Sequence, residues 1–324
     1  FHARRQVIAP QEEWDKFGCE DPRVTHFEGK WYCFYTALGG YPFGPDNIKV
    51  AVAIGDDPKN FTERHLITPF NAKAAALFPE RIHGEVVLLL TAHTDWTSEH
   101  PRPTIALAAA REVADFFDPG YWHAWHEHLA DHALPELRRT DGDHVEVGAA
   151  PILTELGWIL VYSYIENYYD EHARIFTIEA ALLAADNPQL ISRTESFIVP
   201  QETYEEYGLV PRIVFPTGTT LRVHKSDLSD KSDLCTPVLD IWYGAADTVC
   251  AKASIRLSDF LRSLDPTRTA RTFARYSENP ILAPQGTGFE SRSVFNAAAV
   301  ELNGSVHILY RAMDAANTSS IGLA

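Results

Sequence analysis

A short pattern repeats along the chain and limits what it can fold into. A turn residue precedes alternating large apolar positions that end in a small or aromatic pair, at residues 29–37, 84–92, 157–164, 239–245 and 304–312. Alternation with a period of two marks a half-buried strand, and a glycine at the entry marks a tight turn. Units repeated at broadly even spacing cannot each bury their own apolar faces, but stacked around an axis they can. The expectation is an all-β fold, a five-bladed β-propeller, with residues 1–324 in a single domain. A generic β-sandwich with coincidental turns is the competing arrangement. Residues 112–117, the His-rich 122–137 and 257–264 read as short helices, the last opening at Ser258-Asp259 and stopping before Asp265-Pro266. The polar residues 225–233 read as an exposed loop between two strands of one blade.

A formal net charge of −16 argues against nucleic acid and against an anionic membrane surface, because both need clustered Lys and Arg. No run approaches a membrane-spanning length. Cys19, Cys33, Cys235 and Cys250 form no CxxC pair, so they read as buried free thiols of a cytoplasmic protein rather than a zinc ribbon or disulfide framework. The chain opens Phe1-His2-Ala3 with no apolar signal segment after it. A secretion signal is therefore expected to be absent or already removed, and the missing methionine reads as a cut or rearranged start. His128 and His132 would share one helical face, with His123, His126, Glu127 and Asp131 nearby. That spacing suits zinc, yet solvated histidines are the commoner case and no metal is expected. The segment could instead border a substrate entrance, where Trp122 or Trp125 could offer a stacking face.

Gly18-Cys19-Glu20-Asp21-Pro22-Arg23 carries the chemistry. An acidic pair locked by proline and followed by arginine sets a carboxylate beside a fixed cation, as glycoside-cleaving enzymes need to hold an acid over a sugar. Asp21 is the first candidate, and a Glu-Asp-Pro turn closed by a salt bridge is the structural alternative.

These residues resemble glycoside hydrolase family 130, the mannosylglucose and mannoside phosphorylases with related β-mannosidases. The resemblance rests on Gly18 to Arg23, Leu77-Phe78-Pro79-Glu80, Gly148 to Leu153 with Gly157-Trp158, Glu205 to Pro216, Tyr243 to Asp247, Asn279-Pro280-Ile281-Leu282, Val294-Phe295-Asn296 and Tyr310-Arg311-Ala312. Residues 279–324 match what is normally the family's N-terminal part, so the order looks circularly permuted. A ring of blades tolerates that, since each blade keeps both neighbours.

The resemblance implies a five-bladed propeller that inverts the anomeric centre, with Asp21 as proton donor and no cofactor. It implies an oligosaccharide substrate, with inorganic phosphate as co-substrate in a phosphorylase; a homo-oligomer stays an open alternative. It places Asn296, Arg311 and Asp247 around the mannose, and Arg23 either on substrate or orienting Asp21. The departures favour hydrolysis first. Thr91 and Ser163 stand where phosphate-holding arginine and histidine are expected, leaving Lys73, although Arg81, His93, Arg102, His172 or Arg174 could substitute. If water attacks, a base is needed roughly 6.5–9.5 Å from the acid, and Glu166 and Glu146 are its candidates. Phosphorolysis releasing mannose 1-phosphate is the alternative, and a non-catalytic carbohydrate-binding propeller a further one. A glycosidase of the arabinanase or fructosidase kind would instead need three carboxylates at the inner ends of separate blades.

Overall fold

The computed structural model describes residues 4–92, 103–223, 237–264 and 273–324. They are mostly β-strand, with a few short helices. Strand β1 (Arg5–Ile8) is followed by β2 (Gly18–Phe27), β3 (Lys30–Leu38), β4 (Ile48–Gly55) and β5 (Glu63–Leu66), which pair antiparallel in chain order. A separate sheet holds β6 (Ala72–Leu77), β7 (Val86–Ala92) and β8 (Thr104–Ala110). In the next, β9 (His144–Val147) and β10 (Ile152–Thr154) both pair with β11 (Gly157–Glu166), which continues to β12 (Ile175–Leu183) and β13 (Leu190–Arg193). Another contains β14 (Val214–Val223), β15 (Pro237–Ala245), β16 (Val249–Arg256) and β17 (Ala274–Arg275). Finally β18 (Ser293–Leu302), β19 (Ser305–Met313) and β20 (Ser319–Leu323) pair in order, and β1 adds beside β20. One parallel contact, Gly18 with Ser319, joins this unit to β2.

All the recurrent segments prove to be the second main strand of their units: β3, β7, β11, β15 and β19. Gly29, Gly84, Gly157 and Gly304 enter four of them with φ of 81°, 84°, 131° and 74°, a region closed to most side chains. The apolar face of each unit packs on the next. Phe34 and Val52 share a buried cluster with Leu77 and Leu88, Leu89 with Leu160, Val161 with Ile241, Trp242 with Ile308, and Leu309 and Ile321 with Cys33 and Ala51. Burying both faces of each sheet in this way supplies the main driving force for the ring, at about 25 cal/mol per Å² of apolar surface.

A second repeat is polar. Asp15, Asp143, Glu205 and Glu290 precede β2, β9, β14 and β18, and accept the hydroxyls of Tyr35, Tyr164, Tyr243 and Tyr310 at 2.5–2.8 Å. Three of them also accept backbone N–H groups: Asp15 from Gln11 and Glu12, Asp143 from Asn167, and Glu205 from Gln201 and Glu202. Buried carboxylates are tolerable only when their acceptor sites are filled like this. The latches pin the end of the ring where the inner strands begin. By pairing, that end also carries the turns after β3, β11, β15 and β19, since Gly18 faces Leu38, His144 faces Ile165, Val214 faces Ala245 and Ser293 faces Met313.

Residues Val113–Phe117 form a 3-10 helix as expected, the His-rich stretch divides into α1 (Pro119–Glu127) and α2 (Leu129–His132), α3 (Thr203–Glu206) was not expected, and α4 (Leu257–Ser263) falls where a helix was expected. The cap of α4 is Arg256, not Ser258, and it makes no side-chain capping bond. Trp122 and Trp125 offer no open face for stacking. Both are buried, and the Trp125 ring stacks between Phe70 and His132. Among the described residues no group of three or more His, Cys, Asp or Glu could hold a metal ion. Cys19, Cys33 and Cys250 are buried free thiols, whereas Cys235 and residues 225–233 lie outside the described residues. No helix among the described residues is long and apolar enough to cross a membrane.

Candidate active site

The inner strands are bulged where they approach the axis. Register breaks fall between Glu20 and Arg23 in β2, Lys73 and Ala76 in β6, Pro216 and Gly218 in β14, and Phe295 and Ala298 in β18. Asp21, Ala74 and Asn296 sit in three of these bulges, each with φ of 51°. A bulge with a left-handed residue turns its side chain out of the pleat, and asparagine and aspartate tolerate that conformation better than most. The three equivalent positions thus hold an acid, a methyl and an amide aimed by the same backbone device.

Asp21 Oδ1 accepts a 2.7 Å hydrogen bond from Asn296 Nδ2 and lies 3.7 Å from Arg311 Nη1. Arg311 also donates through Nη2 to Glu20 and through Nε to Ser319 Oγ, with its guanidinium over the Phe295 ring at 4.6 Å. Its carboxylate neighbours Glu20, Asp21 and Asp247 hold its pKa up despite burial. Asn296 is buried, and its Oδ1 has no protein partner, leaving an acceptor beside the acid. A side chain at Gly244 would put a Cβ 2.1 Å from that atom, so only glycine lets β15 pass.

Asp247 occupies the turn after β15 with φ of 49°. Burial pushes its carboxyl up to about 7; Arg311 opposes this, while Asp21 and Glu20 add to it. A carboxyl whose folded pKa exceeds its unfolded value of 3.8 binds its proton more tightly when folded. It therefore costs stability as pH rises from about 4 to about 7. The side chain is only partly buried, which screens the effect to a few degrees in Tm at most. Asp247→Asn should flatten the fall in Tm over that window relative to the unchanged protein. An unaltered slope would show that Asp247 is not the group responsible.

A second cluster faces the first. Lys73 keeps its charge despite burial because Glu146, Tyr168, Asp21 and Glu20 surround it. Burial would raise Glu146, but Lys73 and a 3.0 Å contact with His144 Nε2 bring it down to about 2. His144 is buried and stacked on Tyr168 with ring centroids 4.4 Å apart, and its Nδ1 has no protein partner. Sequence reasoning missed His144 and Tyr168. The alternation of β9, which sends His144 and Glu146 to one face, is the signal that could have found the histidine.

Two expectations need correction, those for Glu166 and Arg81, while Arg23 fits one of the two roles expected of it and not the other. Arg23 does not reach toward a ligand: it is 1% exposed, and its guanidinium donates to the backbone carbonyls of Gly148, Asp21 and Val147 at 2.9, 2.8 and 2.7 Å. These bonds tie the main chain at Asp21 to that of Val147 and Gly148. Glu166 lies at the end of β11 with its side chain 42% exposed, 3.9 Å from Arg139, and joins neither cluster. Arg81 is tied to Glu28 and Glu112 at the surface. Of the other cations considered, Arg174 lies 5.8 Å over the Tyr168 ring, while His93 and Arg102 lie outside the described residues. Thr91 Oγ1 accepts from Val147 N at 2.9 Å, knitting two sheets, and Ser163 is fully buried.

A family model described as beta-1,4-mannooligosaccharide phosphorylase, glycoside hydrolase family 130, matches residues 1–266. The chain belongs to this family. It is 25% identical over 258 residues to a 1,2-beta-oligomannan phosphorylase of Thermoanaerobacter sp. (strain X514), covering 79% of this chain and 74% of that one. It is 27% identical over 266 residues to a beta-1,2-mannobiose phosphorylase of Listeria innocua, covering 81% and 64%. The chain thus spans between 64% and 74% of the length of these two relatives. The solved complex of the Listeria innocua enzyme with beta-1,2-mannobiose superposes with a TM-score of 0.57 at 24% identity, covering 79% of this chain and 63% of that one. A thermostable family-43 glycoside hydrolase superposes over 94% of this chain and 88% of its own with a TM-score of 0.58 at 12% identity, a likeness of fold alone.

Proposed function

We propose that this family 130 chain is a five-bladed propeller that cleaves β-mannosides at the axis, with Asp21 as proton donor. The observation that carries the reading is the bulge at Asp21. It holds the carboxylate beside Asn296 and Arg311 at the end of the ring where the inner strands begin. For the blade count, the only strand pairing among the described residues between the halves of the eight-stranded sheet is Gly18 with Ser319, and each half packs on a different neighbour. Asn296, Arg311 and Asp247 supply the donors and acceptors that sugar hydroxyls require.

Phosphorolysis is the reading that the relatives' names support, with inorganic phosphate attacking the anomeric carbon and Asp21 protonating the departing oxygen. Lys73 is the first cation available to the phosphate, and Arg174 approaches through Tyr168. Hydrolysis stays as a second reading on one observation: the ionised Glu146 occupies the pocket of Lys73, where a phosphate dianion would meet its charge. Water activated by Glu146 would then attack, although a carboxylate held near pKa 2 is a weak base.

Anomer-resolved product analysis on β-mannobioses, with and without inorganic phosphate, tests both. Phosphorolysis predicts α-mannose 1-phosphate only when phosphate is present, and Lys73→Met should then weaken the apparent phosphate affinity by about tenfold or more. Free mannose at equal rates in both conditions would overturn it in favour of hydrolysis. Glu146→Gln should then lose about 10²-fold or more in kcat. No product from any mannoside would remove the proposed activity.

A further inference from the structure

The loop between β3 and β4 exposes two aromatic rings that nothing in the reaction above uses. Tyr41 is 75% exposed and Phe43 48%, and their rings meet edge to face with centroids 5.5 Å apart. This loop is braced from within. Asn47 donates through Nδ2 to Pro42 O and accepts Gly44 N–H at Oδ1, while its carbonyl accepts Gly39 N–H at 2.8 Å. A Cβ at Gly40 would lie 2.9 Å from Asn47 Nδ2, so the loop packs tightly on that side chain. A braced loop that leaves large apolar rings in water is a usual mark of a binding surface.

Its place in the fold says what binds. Leu38, at the end of β3, pairs with Gly18, three residues before Asp21, so the loop rises from the end of the ring that carries the acid. Three residues of strand span roughly 10 Å, which puts the root of the loop within a short oligosaccharide's reach of the reacting bond. Two side chains of this size bury at most roughly 300–500 Å², well short of the roughly 800 Å² per partner that a stable protein interface takes. A flat apolar ring with a polar tip suits the C–H face and hydroxyl rim of a sugar.

We propose that Tyr41 and Phe43 form a stacking platform for a distal unit of the oligosaccharide, beyond the units flanking the cleaved bond. The platform makes the enzyme selective for chains longer than a disaccharide. This rests on the mannoside-cleaving function proposed above and deepens it.

The test compares the unchanged protein with Tyr41→Ala/Phe43→Ala on β-linked mannobiose and mannotetraose. The unchanged protein should favour the tetrasaccharide in kcat/KM. The double variant should lose about tenfold on the tetrasaccharide and less than about twofold on the disaccharide. Equal losses on both, or none on either, overturn the platform. A wild-type dimer by sedimentation that becomes monomeric in the double variant also overturns it, in favour of a contact between copies. If the unchanged protein cleaves no mannoside, the proposed function fails separately. Calorimetric binding of Asp21→Asn to a panel of oligosaccharides of other sugars then decides the platform. Binding that lengthens with the glycan and is lost with Tyr41 and Phe43 supports it, and no such dependence overturns it.

Discussion

Asp21→Asn is expected to reduce turnover of a β-mannoside by about 10³-fold while Tm moves by no more than a few degrees. General acid catalysis by a positioned side chain contributes typically ~10²–10⁴-fold, and an amide cannot give up the proton that the leaving oxygen needs. The fold should tolerate the change. Asn is nearly the same shape, accepts the left-handed conformation that the φ of 51° demands, and keeps an oxygen for the Asn296 amide. Removing a charge also relieves Glu20 and Asp247, both of which Asp21 pushes upward in pKa.

Leaving-group dependence separates a proton donor from a residue that only shapes the site. An aryl mannoside whose phenol is already acidic needs little protonation, so the variant should recover most of its rate there and little on mannobiose. A uniform loss across leaving groups would reduce Asp21 to a shaping role, and more than about a tenth of normal activity on mannobiose would remove it as the acid.

The strand plan and the turn that carries the proposed acid were legible in the chain for local reasons. Period-two alternation after a turn glycine is a property of nine consecutive residues, and the segment 304–312, read from that alone, is β19 almost to its ends. Asp21 was legible because Glu-Asp-Pro-Arg is also local. What could not be read depends on residues far apart. The latch of Asp15 on Tyr35 spans 20 positions and that of Glu205 on Tyr243 spans 38, so no window shows their common plan. Glu166 and Glu146 looked alike as acids near the ends of strands. Only the pairing of Glu146 with Ser163 in the register of β9 and β11 brings it to the axis, while Glu166 runs out to solvent.

Arg23→Met should lower Tm by roughly 5–10 °C and reduce kcat with little change in KM. The sequence sets this arginine two residues from an acid, where it could either contact substrate or orient Asp21. Its geometry instead commits all its bonds to main chain: two carbonyls on the β9 side of the axis and one at Asp21 itself. Taking the cation away strands three acceptors in a fully buried place. Hydrogen bonds to charged groups are worth ~1.5–3 kcal/mol each, and breaking a buried charged arrangement by removing one partner costs ~3–5 kcal/mol. Arg23→Lys should recover little, because an ammonium cannot match the planar fork that reaches three carbonyls at once. The kinetic effect follows from the bond to the Asp21 carbonyl, which ties the bulge to the neighbouring sheet; once loosened, the acid spends less time aligned and chemistry slows before binding does. A rise in KM with Tm unchanged would instead mean that Arg23 turns to meet the sugar, and that its three carbonyl bonds are exchanged for substrate when one arrives.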